Sequence, residues 1–314
     1  MRHFTSINDA GDVHDLVKRA ITNKSDPPQQ LAQQLFVALI FFNPSLRTRL
    51  SSEKACHLLG LTPYVLNAGQ SWPIEFGEGA VMDEDKSEHI KEAGKVISQY
   101  ADLIAIRAFP LLKDRDEDYA EPVIRGFMAN TSSPVINLES ATRHPLQGFA
   151  DMITIEEHKR REKPKVVLTW APHPKALPQS VANSFAAWSL AMEYDVVITH
   201  PEGYELDPAL TYGATIEYDP VKAYENADFV YAKNWSSYRS YGQILSQDSG
   251  FRVNREKFSV TNNAYFMHCL PVRRNVIVDD EIIDSQQSLV IQQANNRTFA
   301  MLTVLEQILR HMNI

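Results

Sequence analysis

Apolar residues occur along the chain in short, nearly unbroken runs, and the segments between these runs have apolar positions at helical spacing. Continuous rather than alternating apolar runs are typical of strands in a parallel sheet that is covered on both faces. We therefore predict parallel strands over the following segments: Leu35–Phe42, Leu103–Phe109, Pro134–Leu138, Lys165–Trp170, Asp195–Thr199, Asp228–Ala232 and Ala264–Leu270.

The intervening segments predict helices. Leu146 and Phe149 begin one apolar helical face, and the last segment, Asn295–Met312, carries apolar side chains along another. Strands that alternate with helices over 314 residues predict an α/β protein with two doubly wound parallel-sheet domains. We place the two domains at residues 1–142 and 143–295.

Composition excludes several classes of protein. A net charge of −8 argues against a general nucleic-acid-binding protein, because neutralising phosphates requires a basic face. The two cysteines, Cys56 and Cys269, are too few for a disulfide framework and lack metal-ligand spacing, so we expect a reduced, cytoplasmic protein and no metal site at the cysteines. The first residues lack the apolar core of a signal peptide, and no run approaches the roughly 18 apolar residues of a membrane span. We expect no membrane association.

An anion-binding site is indicated where the first apolar strand ends. An Asn-Pro turn follows, and a helix begins with Arg47 and Arg49 in its first turn. Cations at a helix N-terminus oppose the macrodipole, at a cost of about 0.3–1 kcal/mol each, unless an anion is bound there. Main-chain amides, the hydroxyls of Ser45 and Thr48 and both guanidinium groups would hold such an anion. The alternative is a solvated helix start that Ser45 merely caps.

A second polar cluster, Arg143 to Gln147, follows Glu139 at another strand-to-helix junction. In a doubly wound fold such junctions lie at the carboxyl end of the sheet, where ligands bind. His144 and Gln147 are three residues apart, so both side chains can face one point from the first helical turn. A His-Pro turn that only leads into the helix explains this cluster equally well when it is considered alone.

A third cluster, His268 to Arg274, follows the last apolar strand. Cys269 is a potential nucleophile, but the sequence shows no obvious accompanying Cys-His-Asn arrangement. We therefore expect the Cys269 thiol to be buried and structural. The adjacent arginines, Arg273 and Arg274, are harder to explain as structural residues.

Together, and in this order, the three clusters resemble the motifs of the aspartate/ornithine carbamoyltransferase superfamily, and the resemblance runs over nearly the whole chain. That family places Ser-X-Arg-Thr-Arg at its carbamoyl phosphate site, His-Pro-X-Gln beside the carbamoyl carbonyl and His-Cys-Leu-Pro near the second substrate. The motifs stand here at Ser45–Arg49, His144–Gln147 and His268–Pro271. The resemblance implies transfer of a carbamoyl group from carbamoyl phosphate to an amine, without a cofactor.

The resemblance also implies an architecture. By this resemblance, the C-terminal helix, residues 296–314, is expected to return to the first domain, which is expected to bind carbamoyl phosphate, and residues 143–295 are expected to bind the amino-acid substrate. A homotrimer with active sites shared between subunits is implied as well. The resemblance further implies a second domain that is knotted through a proline-rich loop, which Pro172–Ser184 resembles, and knots are so rare that no general rule would predict one.

The second substrate implied by the resemblance is an N-acylated ornithine. The Ser-Met-Gly loop of ornithine enzymes is absent, and Tyr231–Trp235 stands in the corresponding region. The segments Asn137–Glu139, Trp170–Pro174 and Leu270–Asn275 look like the N-acetylornithine and N-succinylornithine branch. At one position of that branch, the enzymes that use the acetyl substrate have glutamate and those that use the succinyl substrate have proline. This chain has Ser87 there, and a serine does not repel a succinyl carboxylate. We expect N-succinylornithine as the acceptor, with N-acetylornithine as the alternative.

The resemblance implies two groups of site residues. The carbamoyl phosphate group is Ser45, Leu46, Arg47, Thr48, Arg49, Trp72 from the neighbouring subunit, Arg107, His144, Gln147, Cys269, Leu270 and Arg297. The acylornithine group is Glu139, His173, Lys233, Arg273 and Ser87. Within the first group Arg107, His144 and Gln147 would polarise the carbamoyl oxygen, and the main chain at Cys269 would orient the amide nitrogen.

Two rival interpretations remain open. A nicotinamide-dependent dehydrogenase needs a Gly-x-Gly-x-x-Gly turn after a strand, and the nearest match, Gly77–Gly79, has Met82 at the third glycine position and no clear strand before it. A non-catalytic relative that binds carbamoyl phosphate would be indicated by loss of the phosphate arginines, whereas Arg47, Arg49 and Arg107 are present. Ornithine, putrescine and aspartate are remoter acceptors.

Overall fold

The computed structural model describes residues 1–31, 33–68 and 72–314, which fold into two compact units. Unit 1 comprises Met1–Leu111, Asp116–Leu146 and Arg297–Ile314, and unit 2 comprises Leu112–Arg115 and Gln147–Asn296. Each unit contains its own parallel sheet. The predicted α/β fold with parallel sheets is confirmed.

The strands of unit 1 form a four-stranded sheet and a small two-stranded one. They are β1 (Phe36–Phe41), β2 (Thr62–Leu66), β3 (Ile74–Glu75), β4 (Glu88–His89), β5 (Leu103–Arg107) and β6 (Val135–Glu139). The larger sheet has the order β2-β1-β5-β6, and β3 pairs with β4. All of these pairs are parallel. The C-terminal edge of the larger sheet therefore gathers the ends of β1, β5 and β6.

Unit 2 has one five-stranded parallel sheet. Its strands are β7 (Lys165–Trp170), β8 (Asp195–Thr199), β9 (Thr215–Ile216), β10 (Phe229–Lys233) and β11 (Tyr265–Met267). Their order is β11-β10-β7-β8-β9. The strand β7 has the predicted bounds, as does β8, because unbroken apolar runs mark strands that are covered on both faces.

Helices connect the strands. Within the described residues these helices are Val13–Ser25, Leu46–Leu58, Ile90–Tyr100, Arg115–Tyr119, Pro122–Asn130, Pro145–His158, Ser180–Ala191, Pro208–Thr211, Pro220–Tyr224, Arg255–Phe258, Asp280–Ile283 and Val290–His311, together with the 3-10 helices Ile7–Asp9 and Ser249–Phe251.

The last helix begins at Val290 rather than at the predicted Asn295. Its residues from Arg297 onward belong to unit 1, as expected for a helix that returns to the first domain. There Glu306 forms an ion pair with Arg19 and accepts a hydrogen bond from Asn23 (2.9 Å). The largely buried Glu306 carboxylate thereby joins the last helix to the first one.

The edge strand β2 was not predicted. It alternates between partly buried and exposed positions, and Tyr64 and Leu66 are each 41% exposed. An edge strand that is uncovered on one side carries no continuous apolar run, so the pattern that identified the central strands does not apply to it. The same reason explains why β9, which is exposed at both of its residues, was missed.

The expectation that no strand precedes Gly77 was wrong, because β3 ends at Glu75. The following helix begins only at Ile90. A phosphate-binding glycine turn needs a helix N-terminus directly after it, so Gly77 and Gly79 do not form one.

The residues that the structure describes contain no helix both long and apolar enough to cross a membrane. Among the same residues, no group of three or more His, Cys, Asp or Glu side chains is placed to hold a metal ion.

Candidate active site

A β-bulge in unit 1 brings two predicted site residues together. In the pairing of β5 with β6, Ile106 lies opposite Asn137, but Arg107 lies opposite Glu139, so Leu138 is the extra residue. Without this shift Arg107 would face Leu138. Bulges commonly redirect side chains at functional sites. Here the bulge places the Arg107 guanidinium and the Glu139 carboxylate in a buried ion pair.

The helix that follows β1 begins as predicted. Ser45 is its N-cap, and the Ser45 Oγ atom accepts a hydrogen bond from Thr48 N (3.4 Å). The Ser45 hydroxyl also donates to Thr48 Oγ1 (2.9 Å). Leu46, the first residue of the helix, is exposed. The capped start that Ser45 alone predicts is therefore confirmed, and the anion site stays a prediction.

The two arginines of this first turn have different surroundings. Arg49 is exposed, and its Nε atom donates to Glu53 Oε1 (2.9 Å) one turn later on the helix. Arg47 is half-buried. The first turn contains no acidic residue that would match the helix dipole. The positive charge at this helix start thus suits a bound anion.

Thr48, His144 and Arg297 extend the Arg107–Glu139 pair into one network. Arg297 Nη2 donates to Thr48 Oγ1 (2.6 Å), and Arg297 Nη1 lies 3.4 Å from His144 Nε2. His144 Nε2 in turn lies 3.5 Å from Glu139 Oε2. All five side chains are buried, at 2–7% exposure.

The charges of this network favour an anionic ligand. It contains two guanidinium groups and one carboxylate, so positive charge is in excess even with a neutral His144. The Arg107 guanidinium also lies over the Phe109 ring, 4.3 Å from its centre. A buried, arginine-rich site of this kind binds phosphate-like groups through charge-assisted hydrogen bonds.

Trp72 and Ser87 lie on a separate segment of unit 1. Trp72 is 53% exposed, and its indole Nε1 donates to Glu88 Oε2 (2.8 Å). Ser87 is also exposed, and its main-chain N–H donates to Pro73 O (2.9 Å). The structure therefore places the predicted tryptophan and the predicted acyl-selective residue close to each other along one surface segment, outside the Arg107 network.

In unit 2, two residues predicted to bind the amino-acid substrate contact each other. Arg273 Nε donates to His173 Nε2 (2.9 Å). Partial burial lowers the pKa of His173 from its ordinary value, and the positive charges of Arg273 and Lys233 lower it further. A neutral His173 ring is the form that can accept this hydrogen bond. Lys233 is the last residue of β10 and is buried.

The segment after β11 has an unusual main chain. Leu270 has a φ of +49°, and its N–H donates to His268 Nδ1 (2.9 Å). Left-handed backbone at a bulky residue is costly and clusters at functional sites. Cys269 is half-buried, so the prediction of a buried thiol was wrong for it. The buried thiol is that of Cys56, where burial raises the pKa to about 12.

Gln147 is almost completely buried in unit 2. Its Nε2 atom donates to Asp151 Oδ1 (2.7 Å), one turn later on the same helix. Asp151 was not singled out in the sequence. The signal that was available is a charged residue inside the apolar helical segment Phe149–Ile155.

Two family models match the chain. The model for the carbamoyl-P binding domain of aspartate/ornithine carbamoyltransferase matches residues 2–157, and the model for the Asp/Orn binding domain of that family matches residues 178–308. Among individual proteins, the chain is 50% identical to an N-succinylornithine carbamoyltransferase of Bacteroides fragilis, over 99% of this chain and 100% of the relative. It is 37% identical to an N-acetylornithine carbamoyltransferase of Xanthomonas axonopodis pv. citri, over 95% and 93%.

Solved structures are similar over the same length. A variant of N-acetyl-L-ornithine transcarbamylase in complex with PALAO superposes with a TM-score of 0.92 at 36% identity, covering 98% of this chain and 100% of that one. A Glu-to-Ser variant of N-acetyl-L-ornithine transcarbamylase, complexed with carbamyl phosphate and N-succinyl-L-norvaline, has the same TM-score at 35% identity, with 98% and 100% covered.

Proposed function

This chain belongs to the aspartate/ornithine carbamoyltransferase family, and we propose that it transfers the carbamoyl group of carbamoyl phosphate to the δ-amine of N-succinylornithine. The products are N-succinylcitrulline and phosphate. The observation that carries this proposal is the 50% identity to an N-succinylornithine carbamoyltransferase over nearly the whole chain. Identity to N-acetylornithine carbamoyltransferases is lower, at 37%.

N-acetylornithine is the alternative acceptor, because solved structures that resemble this chain are those of N-acetyl-L-ornithine transcarbamylase. Ser87 supports the succinyl substrate, because a serine does not repel the additional carboxylate. The solved complex of the Glu-to-Ser variant with N-succinyl-L-norvaline is in line with this reasoning. We propose that Ser87 stands where the acetyl enzymes have their glutamate.

The proposed function predicts a specific order of acceptors. Purified protein supplied with carbamoyl phosphate is expected to carbamoylate N-succinylornithine fastest, N-acetylornithine more slowly and ornithine least. Ureido product, followed over time at equal acceptor concentrations, measures this order. A preference for N-acetylornithine would overturn the acyl assignment. Turnover of none of the three would overturn the proposed reaction.

The phosphate group is assigned to unit 1, at the start of a helix, where anions are bound well. The groups that would bind it are the hydroxyls, guanidinium groups and main-chain amides of Ser45, Leu46, Arg47, Thr48 and Arg49. Arg297 donates to Thr48 from the buried network and adds a further positive charge. Carbamoyl phosphate needs no metal at such a site, since the arginines supply the countercharge.

Carbamoyl transfer requires donors around the reacting carbonyl. We assign Arg107 and His144 to the carbamoyl oxygen, together with Gln147, and the main chain at Cys269 and Leu270 to the amide nitrogen. The δ-amine attacks the carbonyl carbon, and the C–O bond to phosphate then breaks. Donors that are already in place stabilise the intermediate oxyanion, and each can contribute roughly 10²–10³ in rate.

Proton transfer does not require a separate base. The amine must attack in its neutral form, although a lysine-like amine has a reference pKa of about 10.4. The departing phosphate takes the proton that the new C–N bond releases. Closure that excludes water and aligns the two substrates provides the remaining gain in rate.

The acylornithine is recognised mainly by charge. We assign its carboxylate to Lys233 and Arg273, and its amide and chain to Glu139 and His173. The hydrogen bond from Arg273 to His173 supports this assignment, because it orients the guanidinium before a ligand arrives. In the structure Glu139 also pairs with Arg107, so it is suited to stabilise the carbamoyl site as well.

We also propose a homotrimer in which Trp72 completes the phosphate site of a neighbouring subunit. Several apolar side chains of unit 1 support an interface: Leu46 is 68% exposed, Leu50 56% and Trp72 53%. The uncovered edge strand β2 adds Tyr64 and Leu66. Exposed apolar groups beside a sheet edge are typical of surfaces that a partner covers.

Mixed trimers test the shared site. Arg47→Gln and Trp72→Ala are each expected to be nearly inactive, because each removes one side of the site. Trimers that contain both variants are expected to regain activity, because about a third of their sites are native in a closed ring. Activity of co-expressed, doubly tagged assemblies measures this. The pair Arg47→Gln with Arg107→Gln is the control. In each site Arg47 and Arg107 come from the same subunit, so mixing these two variants restores no site. Absence of regained activity in the first pair would rule out sharing through Trp72.

The cytoplasmic location, the division of labour between residues 1–142 and 143–295 and the knotted second domain stay predictions. A role in arginine biosynthesis follows from the proposed reaction, with a later enzyme removing the acyl group from the citrulline product. Limited proteolysis with each substrate tests the division of labour, since carbamoyl phosphate is expected to protect the first domain.

A further inference from the structure

A fully buried carboxylate lies in unit 2 beneath two segments that the proposed function assigns to the carbamoyl group. Asp151 has 0% exposure. Its Oδ1 atom accepts hydrogen bonds from Gln147 Nε2 and from Gln293 Nε2, both at 2.7 Å. Burying a carboxylate is costly, and these two hydrogen bonds offset part of that cost.

The network has a direction. The side-chain N–H of Gln293 donates to Asp151, and the Oε1 atom of Gln293 accepts from the main-chain N–H of His268 (3.0 Å). His268 Nδ1 then accepts from the N–H of Leu270 (2.9 Å). Because Asp151 is an acceptor, it orients the Gln293 amide with the nitrogen toward Asp151 and the oxygen toward the N–H of His268. The path therefore runs from Asp151 to the backbone of the strained Leu270.

Asp151 selects one of the two orientations of the Gln147 amide. A side-chain amide can be flipped so that either its oxygen or its nitrogen faces a given neighbour. Oδ1 of Asp151 is an acceptor, so the nitrogen of Gln147 must face it, and the Gln147 oxygen is turned away from Asp151. The flipped orientation would bring two acceptor oxygens together.

Tyr231 lies near Asp151 and Cys269, close enough for both to affect it electrostatically. Burial, followed by the negative charge of Asp151 and then by Cys269, raises the pKa of Tyr231 well above its ordinary value. Tyr231 therefore keeps its hydroxyl proton. A neutral hydroxyl beside a carboxylate adds no second negative charge to the network.

From this geometry we propose that Asp151 is a positioning residue for the carbamoyl group, acting on Gln147 directly and on the 268–270 segment through Gln293. The inference rests on the proposed function, in which Gln147, Cys269 and Leu270 contact the carbamoyl group. It goes beyond that function by identifying the residue that holds these contacts in place.

Comparison of two ligands tests the inference. Carbamoyl phosphate and inorganic phosphate share the phosphate contacts, and only the first has a carbamoyl group. Asp151→Ala, which removes the acceptor of both glutamine amides, is expected to weaken carbamoyl phosphate binding about tenfold, roughly the loss of one hydrogen bond, and to change phosphate binding less than about twofold. The turnover number is expected to fall by about 10²-fold, the effect of a small misplacement of reacting groups. Titration calorimetry on the full chain measures both affinities.

Asp228→Ala is the matched control. Asp228 is another buried carboxylate of unit 2, and it accepts from Lys165 N (2.8 Å) and from Asn262 Nδ2 (2.9 Å). It lies just before β10, at the end opposite to Lys233. Its loss is expected to lower the melting temperature and to leave the ratio of the two affinities unchanged. A merely structural Asp151 would behave in the same way.

The outcomes separate this inference from the proposed function. An unchanged affinity ratio in Asp151→Ala would overturn the inference. If Asp151→Ala does not fold, Gln293→Met, which interrupts only the path to His268, is measured instead, and an unchanged ratio there would also overturn the inference. The inference would also be overturned if wild-type protein bound carbamoyl phosphate no better than phosphate. Wild-type protein that binds carbamoyl phosphate but carbamoylates no acylornithine would refute the acceptor alone.

Discussion

Replacement of Arg47 by Gln is expected to lower kcat/KM by about 10³-fold and to leave the fold intact. Arg47 lies in the first turn of the helix Leu46–Leu58, which contains no acidic residue. Loss of one preorganised charged donor to a reacting group typically costs roughly 10²–10³ in rate. In the absence of ligand, the same cation opposes the helix dipole, so its removal is expected to change the free energy of unfolding by no more than about 1 kcal/mol.

Steady-state kinetics and a thermal melt test both parts of this prediction. The matched control is Lys54→Gln, which removes an equal charge from an exposed position on the same helix. This control is expected to stay within about twofold of wild-type activity, as surface substitutions away from a site usually have small effects. Full activity of Arg47→Gln would show that the start of this helix is not part of the phosphate site. A large loss of stability would instead mean that Arg47 is needed for folding.

Replacement of Ser87 by Glu is expected to reverse the acyl preference. The new carboxylate would face the terminal carboxylate of the succinyl group, and like charges a few ångström apart near a surface repel by about 1–4 kcal/mol. We therefore expect kcat/KM for N-succinylornithine to fall by about 10²-fold. The neutral acetyl group experiences no such repulsion, so its kcat/KM is expected to change less than about tenfold.

Ser87→Gln separates charge from size. Glutamine has nearly the same volume as glutamate and no charge, so this variant is expected to retain the succinyl preference with a smaller loss of rate. Equal losses of kcat/KM in the Gln and Glu variants would show that the size of the side chain at position 87, and not its charge, determines the acyl preference. An unchanged preference in Ser87→Glu would place the acyl group elsewhere.

The motifs at the strand ends could be predicted because their signals are local. Ser45 is recognisable as a cap from the residues that follow it, and the prediction was confirmed by its hydrogen bond to Thr48 N. Buried strands such as β5 are continuous apolar runs, which a sequence displays directly. The half-buried Cys269 was misjudged, because burial of a residue after a strand depends on what the rest of the chain places over it.

Partners that are distant in sequence could not be predicted from any pattern. Arg297 and Thr48 are separated by 249 positions, and Gln293 and Asp151 by 142. Periodicity shows which face of a helix is buried but not which side chain from another element meets it. The selection of Asp151 as the acceptor for two glutamines therefore required the folded chain.

The amino-acid sequence by itself determined the alternation of strands and helices, the parallel sheets and the identity of the residues at the strand ends. These depend on interactions between near neighbours and on the apolar period, which the order of residues contains directly. Only the tertiary structure decided the shift at Leu138 that pairs Arg107 with Glu139, and the burial of that pair with His144 and Arg297. Strand register and long-range contacts arise from the packing of whole elements, where one residue of displacement moves a side chain to the opposite face of the sheet.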